Sequence, residues 1–81
     1  MWPMPRYYID TDDGTTTVRD IVGLELDGAE TARSEALRAL PGITRDVLPD
    51  GEKLIVTVLV REMDGAQLFR ASLTFRCEWV G

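Results

Sequence analysis

The stretch "KLIVTVLVREMDGAQLFRASLTFRCEW", residues 53–79, constrains this chain more than any other part of it. Two β-rich runs flank Asp64-Gly65, a dipeptide that favours a two-residue hairpin turn because both central positions take positive φ. With that turn Met63 faces Ala66, and Leu54, Val56, Val58 and Val60 lie opposite Phe75, Leu73, Ala71 and Phe69. Every one of these is apolar and all share one face, as a strand pair with one side on a core requires. A slip of one residue would carry the whole set to the other side. The opposite face pairs Ile55 with Thr74, Thr57 with Ser72, Leu59 with Arg70 and Arg61 with Leu68. A solvated face is more uniformly polar, so Ile55, Leu59 and Leu68 predict a half-covered surface.

The opening residues repeat the pattern on a smaller scale. Asp13-Gly14 predicts a second two-residue turn between "RYYIDT" and "TTTVRD", with Ile9 opposite Val18 and Tyr8 opposite Arg19. Tyr7 and Ile9 then face the core, and Tyr8 and Asp10 face outward. The acids belong to turn chemistry, since Asp tolerates tight-turn geometry and bonds its own backbone. A calcium loop is excluded by spacing: counted from Asp10, Gly14 and Ile21 stand where an EF-hand needs a ligand oxygen and a glutamate.

Between the hairpins the spacing predicts a helix. Asp27 and Glu30 resemble a capping box, and Ala29, Ala32, Ala36, Leu40, Ile43 and Val47 form an apolar stripe widened by Leu37 and Leu48. Pro41-Gly42 interrupts it, at a cost of roughly 3 and 1 kcal/mol inside a helix. The helix is therefore expected to be kinked or broken near Leu40 and to end before Pro49-Asp50-Gly51. The resulting order is ββαββ, an α+β fold with a four-stranded antiparallel sheet ordered 2-1-3-4 and the helix on one face. Met1-Trp2-Pro3 is expected to be an extension, and residues 4–81 one domain. The last strand is then a long sheet edge without proline, the kind of edge that self-pairing protects.

Composition narrows the chemistry. The chain has 81 residues, 44% of them hydrophobic, and a net charge of -5 from 9 basic and 14 acidic side chains. That balance argues against nucleic acid or an anionic membrane as partner, and no apolar run is long enough to span a bilayer. The N-terminus lacks signal-peptide character, and the single Cys77 allows no intrachain disulfide, which points to the cytoplasm. Histidine is absent. Ser-His-Asp catalysis and Cys/His zinc sites are thereby excluded within one chain, and no cofactor is implied. Asp20 and Glu25 could form a carboxylate pair for acid–base work. More simply, Asp20 bonds local amides, Glu25 sits on the surface, and Gly23 supplies a special backbone conformation.

The candidate interface joins Arg6, Tyr8 and Arg19 to Arg70 and Arg76, with Ile55, Leu59 and Leu68 adding apolar area. Cys77 has core-facing parity and is expected to be buried. Trp79 shares that parity near the chain end, where it caps the core or meets a second subunit.

The strings "MPRYYIDTDDG", "RDIVGLEL", "ARSEALRALPGI" and "LPDGEKLIVTVLVREMDGAQLFRASL" resemble a family of small proteobacterial domains of unknown function. Its pattern of M-P-R-[YF]-[YF]-x-[DH], then D-G, then D-x-x-G-x-E-L, matches here at Arg6, Tyr7, Tyr8, Asp10, Gly14, Asp20, Gly23, Glu25 and Leu26. The resemblance brings no catalytic residues. The layout is also similar, more loosely, to HicB-type antitoxin domains. Together these features predict a non-enzymatic bacterial interaction module, a homodimer formed through the outer sheet face or the last-strand edge. The alternatives are an antitoxin-like or regulatory subunit for another protein, and a minimal enzyme using Asp20 or Glu25.

Overall fold

The computed structural model describes residues 4–47 and 53–81. In chain order its elements are β1 (Arg6–Asp12), β2 (Thr17–Val18), β3 (Leu24–Glu25), α1 (Ala29–Val47), β4 (Lys53–Glu62) and β5 (Gln67–Arg76). The fold is α+β. One antiparallel sheet runs β2-β1-β4-β5, and β3 also pairs with β1. Met1–Pro3 and Leu48, with Pro49-Asp50-Gly51, lie outside the described residues.

The β4–β5 register is the expected one from Lys53↔Arg76 to Val60↔Phe69. The turn that delivers it is different. The Gly65 N–H donates to the Glu62 carbonyl at 2.9 Å and the Glu62 N–H to the Ala66 carbonyl at 2.8 Å. The loop is therefore Met63, Asp64 and Gly65, with Gly65 at φ 93°, and Ala66 faces Glu62 rather than Met63. Arg61 stands opposite Gln67 rather than Leu68, and Leu68 is the extra residue of a β-bulge. The longer loop and the bulge each displace the ladder by one residue in opposite senses, so the register beyond them is unchanged.

At the other end, Thr11↔Val18 and Asp12↔Thr17 are the paired residues. Residues 13–16 form the loop, two residues away from the expected register, which preserves which side chains face the core. Asp13 organises it: its Oδ1 accepts the Thr15 and Thr16 N–H groups at 2.9 and 2.8 Å, bonds that hold its carboxyl below the usual range. The expected second strand is split. After Val18 the chain leaves β1, and Leu24 and Glu25 return to pair with Tyr7 and Arg6. Arg19 lies in the loop between them, not opposite Tyr8.

Helix α1 lays Ala32, Ala36 and Leu40 on the sheet, where Val56, Val58 and Val60 are essentially inaccessible. Burying each valine contributes roughly 1.5–3 kcal/mol relative to exposure. The small alanines let the helix approach closely. Ala29, expected in the stripe, is exposed, and Leu37, Ile43 and Val47 are half-buried. At the N-terminus Gly28 occupies the cap position, its carbonyl accepting from Ala32 N–H. The Asp27 carboxylate takes the Thr31 hydroxyl, so the box with Glu30 does not form.

The expected break at Pro41 does not occur, and α1 runs through it. Pro41 is on the exposed side, where the lost N–H leaves only the Leu37 carbonyl without its intrahelical donor, and burial on both sides of it holds the helix together. Among the described residues no helix is long and apolar enough to cross a membrane. The helix covers β4 more fully than β5: Phe69, Ala71 and Phe75 are half-buried, and Leu73 remains 45% exposed.

Candidate functional site

The outer face of the sheet, away from α1, carries Tyr8, Asp10 and Asp12 on β1, then Ile55, Thr57, Leu59 and Arg61 on β4, then Arg70, Ser72 and Thr74 on β5. Its centre is polar and already paired. Arg61 is only 8% exposed. Its Nε and Nη2 donate to the two Asp10 oxygens at 2.7 and 3.0 Å, and Nη2 also reaches the Asp20 carbonyl at 2.9 Å. The guanidinium lies 5.0 Å from the Tyr8 ring centroid. This bidentate pair holds the Asp10 carboxyl below the usual carboxylate range despite partial burial.

Asp20 completes the network from the side. Its Oδ2 accepts the Ile9 N–H at 3.1 Å, and its Oδ1 accepts the Val22 and Gly23 N–H groups at 3.0 Å each. Burial works to raise its pKa, but these three N–H bonds and the Arg61 charge outweigh it and leave the carboxyl below its ordinary value. Gly23 permits the close turn at φ 76°: a Cβ there would stand 2.9 Å from the Tyr7 carbonyl oxygen, Arg6 Cγ and Tyr8 Cε2. Asp20 thus bonds amides and Gly23 adopts its special conformation, both as expected. Glu25 does not join Asp20 as a carboxylate pair but meets Arg6 at 3.0 Å. Among the described residues no acidic or cysteine cluster is arranged to hold a metal ion.

The predicted interface residues are partly brought together. Leu59 and Arg70 face each other across β4 and β5 and, with Asp10, Asp12, Thr57 and Ser72, line a shallow depression of about 410 Å³. Ile55 and Leu68 are partly exposed nearby, at either end of the ladder. Tyr8 is half-buried under Arg61. Arg6 instead reaches over the sheet margin to the Val22 carbonyl, at 2.8 Å, and to Glu25. Arg19 is in the 19–23 loop, and Arg76 pairs with Lys53 at the far end of β5. Trp79 is fully exposed beyond β5 and caps no core. Cys77 is exposed, not buried, because β5 ends at Arg76 and strand parity stops there.

Two features were not expected. The Asp10–Arg61–Asp20 network joins residues 10, 41 and 51 positions apart. The loop it anchors holds Ile21 and Val22 out in solvent, and an aliphatic pair between Asp20 and Gly23 was the only sequence sign of it.

The two sheet margins are unlike. Along β1, β2 and β3 cover the ends, and Asp20 takes the Ile9 N–H between them. Along β5 no described strand pairs with the outer side. In an antiparallel ladder successive residues turn their N–H and C=O to alternate sides. Ile9 turns away from β4 to Asp20, so Val60 opposite it turns toward β5 and bonds Phe69. It follows that Phe69, Ala71, Leu73 and Phe75 bond β4, while Arg70, Ser72, Thr74 and Arg76 present their backbone groups to the open edge.

A family profile described as a domain of unknown function, DUF6894, matches residues 6–74. The chain belongs to the DUF6894 family. The matched span takes in every element from β1 to most of β5, including Asp10, Asp20, Gly23 and Arg61. Arg76, Cys77 and Trp79 lie beyond it. No curated protein and no solved structure matches this DUF6894 chain.

Proposed function

We propose that this DUF6894 domain is a cytoplasmic, non-enzymatic interaction module that self-associates by strand pairing at the open edge of β5. The observation that carries the reading is that edge: a regular ladder from Phe69 to Arg76 whose outward backbone groups meet no strand among the described residues, beside a Leu73 that α1 leaves half uncovered. Proline, which commonly guards edges, is absent from it, and its charged side chains are Arg70 and Arg76 alone. The outer face is the weaker candidate of the two expected surfaces. Arg61, Asp10 and Tyr8 satisfy one another there, and Thr57 bonds Ser72 at 3.0 Å. The non-enzymatic part of the reading rests on Asp10 and Asp20, whose lowered pKa values and occupied lone pairs make them poor proton acceptors.

Sedimentation equilibrium over a range of concentrations tests it, with two variants. Thr74→Pro removes an edge-facing N–H without touching the β4 ladder and is expected to give a folded monomer. Leu59→Glu, on the outer face, is expected to leave association intact. A wild-type monomer at all concentrations, or a Thr74→Pro variant that associates normally, would overturn the reading.

A second reading, docking of a different protein, is favoured by Ile21 and Val22, which stand in solvent on the loop that Asp20 bonds. A partner bound there would be lost on Ile21→Asp, with β5 association unchanged.

A further inference from the structure

We infer that the occupant of the β5 edge is a second copy of the chain, docked antiparallel with its two-fold axis through Ser72. This rests on the reading of β5 as the association edge and adds the register. A two-fold pairing is isologous, so a strand that pairs with itself must match its own sequence read backwards. The segment "FRASLTF", residues 69–75, does so: phenylalanines at both ends, Ala71 and Leu73 inside them, and Ser72 at the centre. With the axis at Ser72, Phe69 lies opposite Phe75 of the second copy and Ala71 opposite its Leu73. On the outer face Arg70 meets Thr74, and the regular pairing ends there, because Leu68 is the bulged residue.

Neighbouring registers are worse for stated reasons. An axis at Arg70 sets that residue against itself, and an axis at Leu73 sets Arg70 against Arg76, like charges directly opposite in both cases. An axis at Ala71 carries Thr74 and Phe75 past Phe69 onto the bulge at Leu68, outside the regular ladder. An axis at Thr74 leaves the ladder from Gln67 to Ala71 without a partner. Only the Ser72 axis pairs the regular ladder from Phe69 to Phe75 with no arginine facing another and every helix-side pair apolar.

The backbone supports the same register. Ser72 is among the residues that present N–H and C=O to the edge, so Ser72 facing Ser72 forms a hydrogen-bonded pair on the axis. On the helix side, the exposed Leu73 side chain is laid beside the small Ala71 of the second copy. One continuous sheet then runs through both copies, with the strip that α1 leaves uncovered closed from across the axis.

Cysteine cross-linking of the full chain, in a Cys77→Ser background, reads the register directly. In a hydrogen-bonded antiparallel pair the Cα atoms are about 5.5 Å apart. The Cβ atoms lie toward the far end of about 4.5–5.5 Å, beyond the roughly 3.5–4.5 Å of a disulfide, so the thiols are bridged with a short bifunctional thiol reagent. Ser72→Cys is therefore expected to form a covalent dimer with that reagent. Arg70→Cys and Thr74→Cys place their thiols four residues out of step, about 14 Å apart along the strand, and are expected to stay unlinked. Each variant's mass is also measured under reducing conditions. A dimer by mass that Ser72→Cys fails to link, or that Arg70→Cys or Thr74→Cys links instead, overturns the register while β5 association stands. A reduced protein that is monomeric throughout overturns both.

Discussion

Replacing Gly23 with alanine separates two costs that glycine substitutions usually mix. Gly23 and Gly65 both have positive φ, at 76° and 93°. An alanine in that region costs about 1–2 kcal/mol from its own backbone sterics. At Gly65 that is the whole cost, because nothing lies within 4 Å of an added Cβ. At Gly23 the new methyl would also stand 2.9 Å from the Tyr7 carbonyl oxygen and the same distance from Arg6 Cγ and Tyr8 Cε2. The Arg6 stem can move, but the Tyr7 carbonyl belongs to the β1 backbone and the Tyr8 ring lies under Arg61. Relieving the clash therefore displaces the 19–23 loop and lengthens the Asp20 bonds, for another ~1–3 kcal/mol. Gly65→Ala should lose about 1–2 kcal/mol and Gly23→Ala about 2–5. For a domain of this size each kcal/mol moves Tm by roughly 4–8 °C, so the two variants should differ by at least several degrees in thermal and urea unfolding. Equal losses at the two positions would refute the close-approach reasoning.

Asp10 and Asp20 have folded pKa values below their unfolded ones, so the stability they contribute is fully present above the unfolded value near 4 and is lost as pH falls through the folded values. Urea unfolding between about pH 6 and 2 should show that loss, with a shallower acid limb in Asp20→Asn. Asp10→Ala removes the acid side of a well-shielded bidentate pair and should cost on the order of 3 kcal/mol in denaturant unfolding. Pro41→Ala restores the N–H that the Leu37 carbonyl lacks and should stabilise the domain, by up to ~3 kcal/mol on helix propensity. An unchanged midpoint would mean that the helix is already relaxed around the ring.

The closing hairpin was legible because its information is local and redundant: alternating apolar residues on both strands admit one parity, and Asp64-Gly65 marks the reversal. Even so, the correct ladder came with an incorrect turn, because the added loop residue Met63 and the bulge at Leu68 offset each other. The opening hairpin was less legible, since Thr residues at 15, 16 and 17 suit loop and edge alike and left the Asp13 side chain to decide the loop length. Pro41 does not break the helix, one of the two outcomes expected there, because propensity is a local cost that the burial of Leu40 on one side and Ile43 and Val47 on the other outweighs. The Arg61 network was the least legible part. β1 and β4 are joined through the helix, not by a turn, so no short motif sets which residue of one meets which of the other. Until that register is known, Arg61 is an arginine at the end of an apolar strand and Asp10 one more acid near a turn.

Asp20 also bears on the size of any assembly. A sheet that can add strands at both margins has no reason to stop, whereas one with a single open margin closes on itself after one addition. By occupying the Ile9 N–H between two very short strands, a single carboxylate keeps β1 from offering a second ladder. Under the proposed pairing at β5, that side chain, together with β2 and β3, separates a finite pair from an open-ended fibre.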